Sequence, residues 1–140
     1  MAFSYFYSHI DFNGSNGAQR PVVPVKINGY DFTGLIDSGS DAIVIPKEIA
    51  EALELETIDK TELAQLDGSK IPCDISKIEL EFGKGHTIHK FNSRVLISDT
   101  PRIILGRNGF FNQFIITFDE DKGLVSFKKT DALSRRVWTK

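Results

Sequence analysis

The feature that most constrains this chain is an apolar strand ending in an acidic tight turn, Leu35-Ile36-Asp37-Ser38-Gly39-Ser40-Asp41. Apolar residues up to Ile36 predict a buried strand, and Ser38 and Gly39 permit a sharp turn directly after the acid. A carboxylate at the end of a rigid strand is held still, as a catalytic acid must be. The alternative interpretation is an ordinary turn, because residue frequencies alone produce Asp-Ser-Gly in roughly one chain in ten or twenty.

A second apolar strand ends at a glycine later in the chain, in Arg102-Ile103-Ile104-Leu105-Gly106-Arg107-Asn108-Gly109-Phe110-Phe111. Together with residues 20–29 and 35–41, the stretch 104–108 resembles the retropepsins, the single-lobed aspartic proteases of retroviruses and retroelements. The two motifs in this order and spacing are specific for that family, whereas either motif alone is a weak signal.

Turn and periodicity signals predict an all-β chain. Asn28-Gly29 and Asp67-Gly68 are strong hairpin signals, and the first of these hairpins delivers Asp37 at a strand end. Residues 2–12 predict one N-terminal strand, and Pro46 suits the first position of a short helix, where its missing N–H has no partner. With the resemblance, this pattern predicts a closed acid-protease barrel of a single lobe, with one or two short helices.

The C-terminal part looks more like the end of a pepsin lobe than like a retroviral enzyme. Phe110, Phe111 and Phe114 fit one face of a helical turn, and residues 117–119 and 124–127 predict a closing hairpin. The long N-terminal strand and this hairpin differ from the short interleaved ends of retroviral enzymes, which leaves the pairing of two copies open.

Length and charge limit the function classes. The 140 residues predict one domain over 1–140, with 1–19 as an N-terminal strand and loop and 129–140 as a basic tail that is expected to fray. A net charge of −2 gives no general attraction to nucleic acid or membranes, and the apolar runs are too short to span a bilayer.

The single cysteine, Cys73, excludes an intrachain disulfide framework and suits a reducing compartment, so we expect a cytoplasmic protein.

The chemistry that the resemblance implies needs two carboxylates. One takes a proton from water, and the other protonates the oxygen of the peptide bond. Because the chain contains one Asp-Ser-Gly, the second Asp37 must come from another copy across a two-fold axis. The expected enzyme is therefore a homodimer that shares one proton between two Asp37 side chains and works best in mildly acidic solution.

The resemblance also implies roles for other residues of the two motifs. Ser38 would bond across the dimer, and Gly39 would let the substrate backbone approach closely. Asp41 would accept a backbone N–H of the bound peptide, and Arg107 of its own copy and Arg20 of the neighbour would hold that carboxylate. The alternative for each arginine is an exposed ion pair worth about 0–1 kcal/mol. Further contributions are expected from Ser40 on the substrate side and from Gly106 and Asn108 as structural support.

The second hairpin corresponds to the flap of the retropepsins, which closes over the substrate. Its expected substrate-binding residues are Leu66, Asp67, Gly68 and Ser69. This tip departs from the family because it has a single glycine and an added carboxylate, which would slow closure or select basic substrates. Ala42 replaces a second acid of some relatives. The expected pocket walls are Ile36, Val44, Leu66 and Ile104.

Other candidate sites are weaker. His86 and His89 lack the further ligands of a zinc site, and both are expected on the surface of a strand. Cys73 lacks an evident histidine partner and is expected to be a small core residue. Residues 83–86 do not have the pattern of a phosphate-binding loop. We therefore expect neither a metal nor an organic cofactor.

The favoured hypothesis is a homodimeric aspartic endopeptidase that cleaves extended peptide segments. A second hypothesis is a catalytically weak or inactive peptide-binding or dimerisation module of the same fold, which the acidic tip at Asp67 supports. A third is a domain released from a mobile-element polyprotein, which the starting Met1 makes less favoured.

Overall fold

The computed structural model of this chain describes residues 2–12 and 15–130. Over these residues the backbone forms twelve strands, one α-helix and one 3₁₀ helix. In chain order they are β1 (Ala2–Phe6), β2 (Ser8–Phe12), β3 (Ser15–Arg20), β4 (Val22–Ile27), β5 (Tyr30–Ile36), β6 (Val44–Pro46), α1 (Lys47–Ala52), β7 (Asp59–Ala64), β8 (Lys70–Lys84), β9 (Thr87–Ser98), β10 (Ile103–Leu105), the 3₁₀ helix (Phe111–Gln113), β11 (Phe114–Asp119) and β12 (Leu124–Lys129).

Six of the strands close into a barrel. Their order is β4-β5-β10-β6-β9-β8, and the pairing of Ile27 in β4 with Leu80 in β8 completes the ring. Among the described strands, β7 pairs with β8 alone, and the two extend from the barrel as a hairpin. The predicted closed all-β barrel with few helices is therefore confirmed.

Alternation along the strands fills the barrel with aliphatic side chains. In β4, Val23, Val25 and Ile27 are buried, while Pro24 and Lys26 between them are exposed. Burying one such aliphatic side chain stabilises a fold by about 1.5–3 kcal/mol. Pro24 lies opposite Thr33 of β5 and does not belong to the two residue pairs that join β4 to β8. A residue without a backbone N–H suits such a position.

The hairpin of β4 and β5 positions the end of β5 next to the candidate site. Asn28 and Gly29 have positive φ angles of 50° and 86°, as a tight two-residue turn with right-handed strand twist requires. Ile27 pairs with Tyr30 across the turn, and the register continues to Val22 opposite Leu35. This predicted hairpin is confirmed.

A second sheet of three strands, in the order β1-β12-β11, packs on the barrel. Aromatic rings join the two layers: the Phe82 ring of β8 lies 4.7 Å from Phe127 and 5.4 Å from Phe114, measured between ring centroids. Phe3 of β1 lies 5.5 Å from Phe127. The Tyr5 hydroxyl donates a hydrogen bond of 2.6 Å to the Gly83 carbonyl and ties this sheet to the barrel. We call β1, β11 and β12 the terminal sheet.

The structure corrects the N-terminal prediction. Residues 2–12 form two strands rather than one, and the break falls at Tyr7. The Tyr7 N–H donates to the Gly123 carbonyl at 2.7 Å, and its hydroxyl donates to Glu120 at 2.7 Å, so this residue is held by the turn between β11 and β12. The sequence does not predict β3, because Ser15–Arg20 lacks apolar alternation. In the structure this strand pairs with β2.

Two boundaries also differ from the predictions. Pro46 ends β6 and precedes α1, since its ψ of 145° is extended and the helix begins at Lys47. Phe114 begins β11 rather than sharing the helical turn, which covers Phe111–Gln113.

The predicted tail is described only at its start. Lys129 belongs to β12, and residues 131–140 of the predicted tail lie outside the described residues. None of the described helices is both long and apolar enough to cross a membrane.

His89 is more enclosed than its sequence context suggests. Its ring lies 5.5 Å from the Phe114 ring and 6.1 Å from the Phe3 ring, between the barrel and the terminal sheet. The Nε2 atom is shielded from solvent and has no hydrogen-bond partner among the described residues. Burial, followed by the positive charge of Lys129, lowers the pKa of His89 below its ordinary value. The expectation of a surface strand residue therefore holds only in part for His89, which lies on β9 but is half-buried.

This environment predicts an acid-sensitive contribution to stability. Because the folded-state pKa of His89 is lowered, the unfolded chain binds the proton more readily, and folding stability declines as the pH falls through about 6.5. His89→Phe keeps an aromatic ring but removes the charge, so its free energy of unfolding should fall less between pH ~7.5 and ~5.5. Denaturant unfolding at several pH values measures both slopes. The control is His86→Phe at an exposed position, and equal slopes for His89→Phe and wild type would contradict the account.

Candidate active site

Asp37 stands where two parallel strands end together. Ile36, the last residue of β5, pairs with Leu105, the last residue of β10. The Asp37 N–H donates a hydrogen bond of 3.2 Å to the Leu105 carbonyl, so the acid continues the pairing by one residue. Its side chain is half-buried. The strand end therefore fixes the backbone of this carboxylate.

The turn after Asp37 orients the carboxylate itself. The Gly39 N–H donates to Asp37 Oδ1 at 2.9 Å, and the Ser40 N–H donates to the Asp37 carbonyl at 3.2 Å. A Cβ at position 39 would lie 3.2 Å from Oδ1, which is a tight contact. Ser38 and Gly39 are exposed, so the open side of this turn faces solvent.

The turn is locked against the second motif by backbone hydrogen bonds. The Arg107 N–H donates to the Ser40 carbonyl at 2.9 Å, and the Asn108 N–H donates to the Asp41 carbonyl at 2.8 Å. A parallel bridge between Ala42 and Asn108 continues this contact. We call this contact between residues 37–42 and 105–108 the loop crossing. The two motifs that the sequence singled out are thus brought together.

Gly106 is required at the loop crossing for a steric reason. A Cβ on this residue would lie 2.1 Å from the Ala42 carbonyl oxygen and 2.7 Å from the Ser40 carbonyl oxygen. Both obstacles are backbone atoms, which cannot rotate away. Ser40 adds a side-chain bond of 2.8 Å from its hydroxyl to the same Ala42 carbonyl. Any side chain at position 106 must therefore push the two loops apart.

Asp41, Arg107 and Arg20 are the charged residues to which the resemblance assigns linked roles. Asp41 and Arg107 are both exposed, and no ion pair within the described ranges joins them. Arg20 ends β3, where it is exposed and lies opposite Ser8 in the strand register. The predicted grip of two arginines on Asp41 stays a prediction.

The tip of the β7–β8 hairpin is an ordered turn rather than a loose glycine loop. The Gln65 N–H donates to the Ser69 carbonyl at 2.8 Å, and Gly68 has a φ of 88°. Asp67 Oδ1 accepts the Ser69 hydroxyl at 2.6 Å and the Ser69 N–H at 2.9 Å. These two bonds lower the pKa of Asp67 below its ordinary value. Leu66 is fully exposed beside it.

Two of the expected pocket walls are inaccessible in the single chain. Ile36 and Val44 are 3% and 5% exposed; Ile36 belongs to the hydrophobic core, whereas Val44 is buried outside that cluster, opposite Ile104. Ile104, paired with Val44, is half-buried, and Leu66 is exposed. Leu66 and Ile104 therefore keep accessible apolar surface, whereas Ile36 and Val44 do not.

Sequence reasoning did not identify a polar cleft beside the second motif. A cavity of about 440 Å³ lies between β9 and the segment that follows Gly106, and its lining includes Asn92, Arg94, Asn108 and Asn112. No motif marks these residues, because the topology brings them together from distant positions. In the described part of the chain, no group of three or more His, Cys, Asp or Glu side chains is arranged to hold a metal ion.

Comparison with known proteins agrees with this geometry. Residues 23–108, which include Asp37 and Gly106, match the sequence model of a family described as Aspartyl protease. A search of curated proteins finds no match. The fold is similar to the crystal structure of a retropepsin-like aspartic protease from Rickettsia conorii, with a TM-score of 0.61 and 14% identity over 91% of each chain. This likeness concerns the fold, and it confirms the expected retropepsin-like single-lobe barrel.

The loop crossing predicts a position-specific cost for adding one methyl group. Gly106→Ala should lower the free energy of unfolding by about 1–3 kcal/mol, the usual cost of overpacking, because its Cβ meets backbone oxygens. The matched control is Gly34→Ala in β5, where the nearest atoms are Cδ1 and Cγ of the buried Leu105 side chain, at 2.8 and 2.9 Å. These side-chain contacts are longer than the 2.1 Å backbone contact at position 106, so the control should lose less stability in denaturant unfolding. Equal losses would contradict the steric account.

Proposed function

This chain belongs to the aspartyl protease family, and from that premise we propose that two copies of it form one aspartic endopeptidase. The observation that carries the proposal is the state of Asp37. It is a half-buried carboxylate at a strand end, with Oδ1 bound by the Gly39 N–H and its backbone tied to Leu105. A carboxylate held in this way suits proton transfer from a water molecule that occupies a constant position.

The proposed reaction is carried by a pair of Asp37 side chains, one from each copy. The ionised carboxylate takes a proton from a water molecule, and the water oxygen attacks the carbonyl carbon of the peptide bond. The protonated partner gives its proton to the carbonyl oxygen, which forms a neutral tetrahedral diol. Proton transfer to the amide nitrogen then releases the amine and the new carboxyl group. Carboxylates carry every proton in this scheme, so it calls for no metal or organic cofactor.

The proposed substrate is an extended segment of polypeptide that binds as an added strand. Its main chain would bond to Asp41 and to the β7–β8 hairpin, which acts as a flap, and alternate side chains would enter apolar subsites near Leu66 and Ile104. In this proposal Ser38 and Gly39 line the reaction centre, and Ser40 contacts substrate. The proposal also assigns Arg20 and Arg107 to hold the Asp41 carboxylate in place.

The flap tip supports a preference for basic substrates. The bonds from Ser69 keep the pKa of Asp67 below its ordinary value, so this exposed carboxylate stays negative in mildly acidic solution. A negative charge on the flap favours peptides with Lys or Arg at the facing position, with an effect that salt screens.

A second candidate is a binding module that holds peptides without cleaving them. The observation in its favour is the same turn, because a tip closed by four hydrogen bonds resists the rearrangement that a moving flap needs. Incubation with a diverse peptide pool at pH ~4–6, where a carboxylate pair shares one proton, separates the two candidates. Products whose formation a statine-type inhibitor blocks favour the enzyme, and tight binding without products favours the module.

Replacing the acid tests the proposed reaction. Asp37→Asn keeps an oxygen that can accept the Gly39 N–H but removes the proton acceptor, so peptide cleavage should fall by at least about 10²–10⁴-fold. The variant should keep the unfolding midpoint and the solution mass of the wild type. The matched control is Asp31→Asn in the strand that carries the site, which should cleave normally. A cleavage rate that Asp37→Asn leaves unchanged would refute the enzyme assignment.

Two variants separate the charge of Asp67 from its structural role. Asp67→Asn can still accept the bonds from Ser69, whereas Asp67→Ala cannot. The Asn variant should lose about two- to fivefold of the kcat/KM preference for Lys- or Arg-containing peptides over neutral ones. The Ala variant should lose the same preference and also bind every peptide more weakly, since its turn is no longer closed. Unchanged preference in both variants would show that the tip charge does not select substrates.

A further inference from the structure

Two neighbouring cavities form a polar groove along β9. The first, of about 440 Å³, lies between β9 and the segment that precedes β11, and the second, of about 430 Å³, includes Lys77 of β8 in its lining. Both are lined by Asn92, Ser93 and Arg94, so they belong to one surface, which we call the β9 groove. Neither cavity is lined by Asp37, so the proposed reaction does not use this groove.

One wall of the groove is an unpaired edge of β9. The Leu96 N–H donates to the Ile43 carbonyl at 2.9 Å, so this side of β9 is covered at Leu96. Backbone groups of alternate residues point to the same side of a strand, and the Arg94 N–H therefore points to this side two residues earlier. β6 pairs with β9 only at residues 96–98, and no strand of the described ranges covers this side at Arg94. Such an edge is a template for an added strand.

The face of the sheet beside this edge carries two opposed cations. Lys77 and Arg94 are exposed and lie opposite each other in the register of β8 and β9. The Asn28 N–H donates to the Glu79 carbonyl at 2.9 Å, so the backbone of Glu79 points away from β9. Alternate pairs of this ladder, Lys77 with Arg94 included, are therefore of the non-hydrogen-bonded kind, in which opposite side chains lie closest. Like charges so placed destabilise a sheet, and an anion between them removes that cost.

Acidic side chains of the chain itself do not neutralise these cations. Neither cation forms an ion pair within residues 2–12 and 15–130, and none of the described residues that line the two cavities is acidic. Glu79, on the next pair of the same face, has its carboxylate 3.9 Å from Lys90 Nζ. Near the opposite wall, Lys129 Nζ donates to Gln113 Oε1 at 2.5 Å and adds a positive charge. The groove is therefore positive on a chain whose net charge is −2.

Side-chain amides complete the lining. Asn92, Asn108 and Asn112 are exposed and line the first cavity. An amide side chain offers a donor and an acceptor, as a peptide bond does, so these groups suit the main chain of a polypeptide. Among the described lining residues there is no aromatic ring on which a nucleic-acid base could stack. The lining therefore favours a polypeptide over a nucleic acid.

We propose that the β9 groove binds an extended, acidic segment of polypeptide as an added strand along the edge of β9 at Arg94. Carboxylates of this segment pair with Arg94, while Lys77, one strand further away, adds to the attraction. Its main chain bonds to the Arg94 N–H and to the amide side chains. The inference goes beyond the proposed function, because the groove lies outside the reaction centre and both the endopeptidase and the binding module are compatible with it.

Charge selectivity tests the cations. Fluorescence anisotropy follows labelled hexapeptides that alternate Val with Glu or with Lys, on an Asp37→Asn chain that cuts no peptide bond. The Val-Glu peptide should bind at least about tenfold more tightly than the Val-Lys peptide, and Arg94→Gln should weaken its binding about three- to fivefold. The control Lys128→Gln makes the same change of charge at an exposed position of β12 and should bind as its parent does. Equal affinities of the two peptides, or unchanged binding by Arg94→Gln, would overturn the inference.

Reversing one cation separates binding from stability. Lys77→Glu places opposite charges across β8 and β9, so this variant should unfold at a higher denaturant concentration than its parent. The same change should weaken binding of the Val-Glu peptide at least about fivefold, because it puts a repulsive charge in the groove. A structural role alone predicts that binding does not decline as stability rises, and undiminished binding would contradict the role of this pair.

Methylated peptides test the added strand. Two Val-Glu peptides carry methyl groups on alternate amide nitrogens, one on its Val and the other on its Glu residues. Alternate N–H groups of a strand point to opposite edges, so only one of these peptides keeps the donors that face β9. Their affinities should differ at least about tenfold, since several hydrogen bonds of about 1 kcal/mol are lost together. Equal affinities would overturn binding by strand addition.

Two further results would also overturn the inference. Val-Glu binding that changes in Asp67→Ala but not in Arg94→Gln would place the peptide at the hairpin tip, which leaves the endopeptidase proposal standing. A single-stranded oligonucleotide of equal charge that binds as tightly, and that Arg94→Gln weakens, would show that the groove recognises charge alone. A wild-type chain that cleaves no peptide would contradict only the endopeptidase proposal, because the binding measurements use a chain that does not cleave.

Discussion

The structure depends on the loop crossing, where the turn after β5 meets the segment after β10 at backbone distance. Two N–H groups, from Arg107 and Asn108, satisfy the carbonyls of Ser40 and Asp41. This close approach is possible only because position 106 has no side chain. The contact fixes Asp37 between two strand ends, and the proposed chemistry depends on that rigidity rather than on a large pocket.

The terminal sheet, the second layer of the fold, is connected to the loop crossing through the chain that follows it. The segment beyond the crossing turns once and becomes β11, and its Phe114 joins an aromatic cluster with Phe82 and Phe127 that binds the terminal sheet to the barrel. Since aromatic rings bury large areas and prefer edge contacts, the cluster orients two layers as one body. The same cluster contacts His89, whose lowered pKa predicts that acid weakens the packing between the layers.

The sequence predicted the parts of this fold that local chemistry determines. Asn28-Gly29 has one favoured turn, and Gly106 follows an apolar strand in a specific pattern, so the hairpin and the motif could both be found. β3 was missed because Ser15–Arg20 carries no alternation, and its pairing with β2 decides its state. The burial of Val44 and of His89 could not be predicted, since strands distant in sequence cover both.

The central claim is that each copy supplies half of one reaction centre, and mixing copies tests it most directly. Wild type and Asp37→Asn chains are equilibrated in equal amounts, and the cleavage rate is compared with that of wild type alone at the same total chain concentration. If both Asp37 residues act in one site, mixed dimers are inactive, and about one quarter of the wild-type rate remains. Retention of about one half would mean that each copy works alone and would contradict the account.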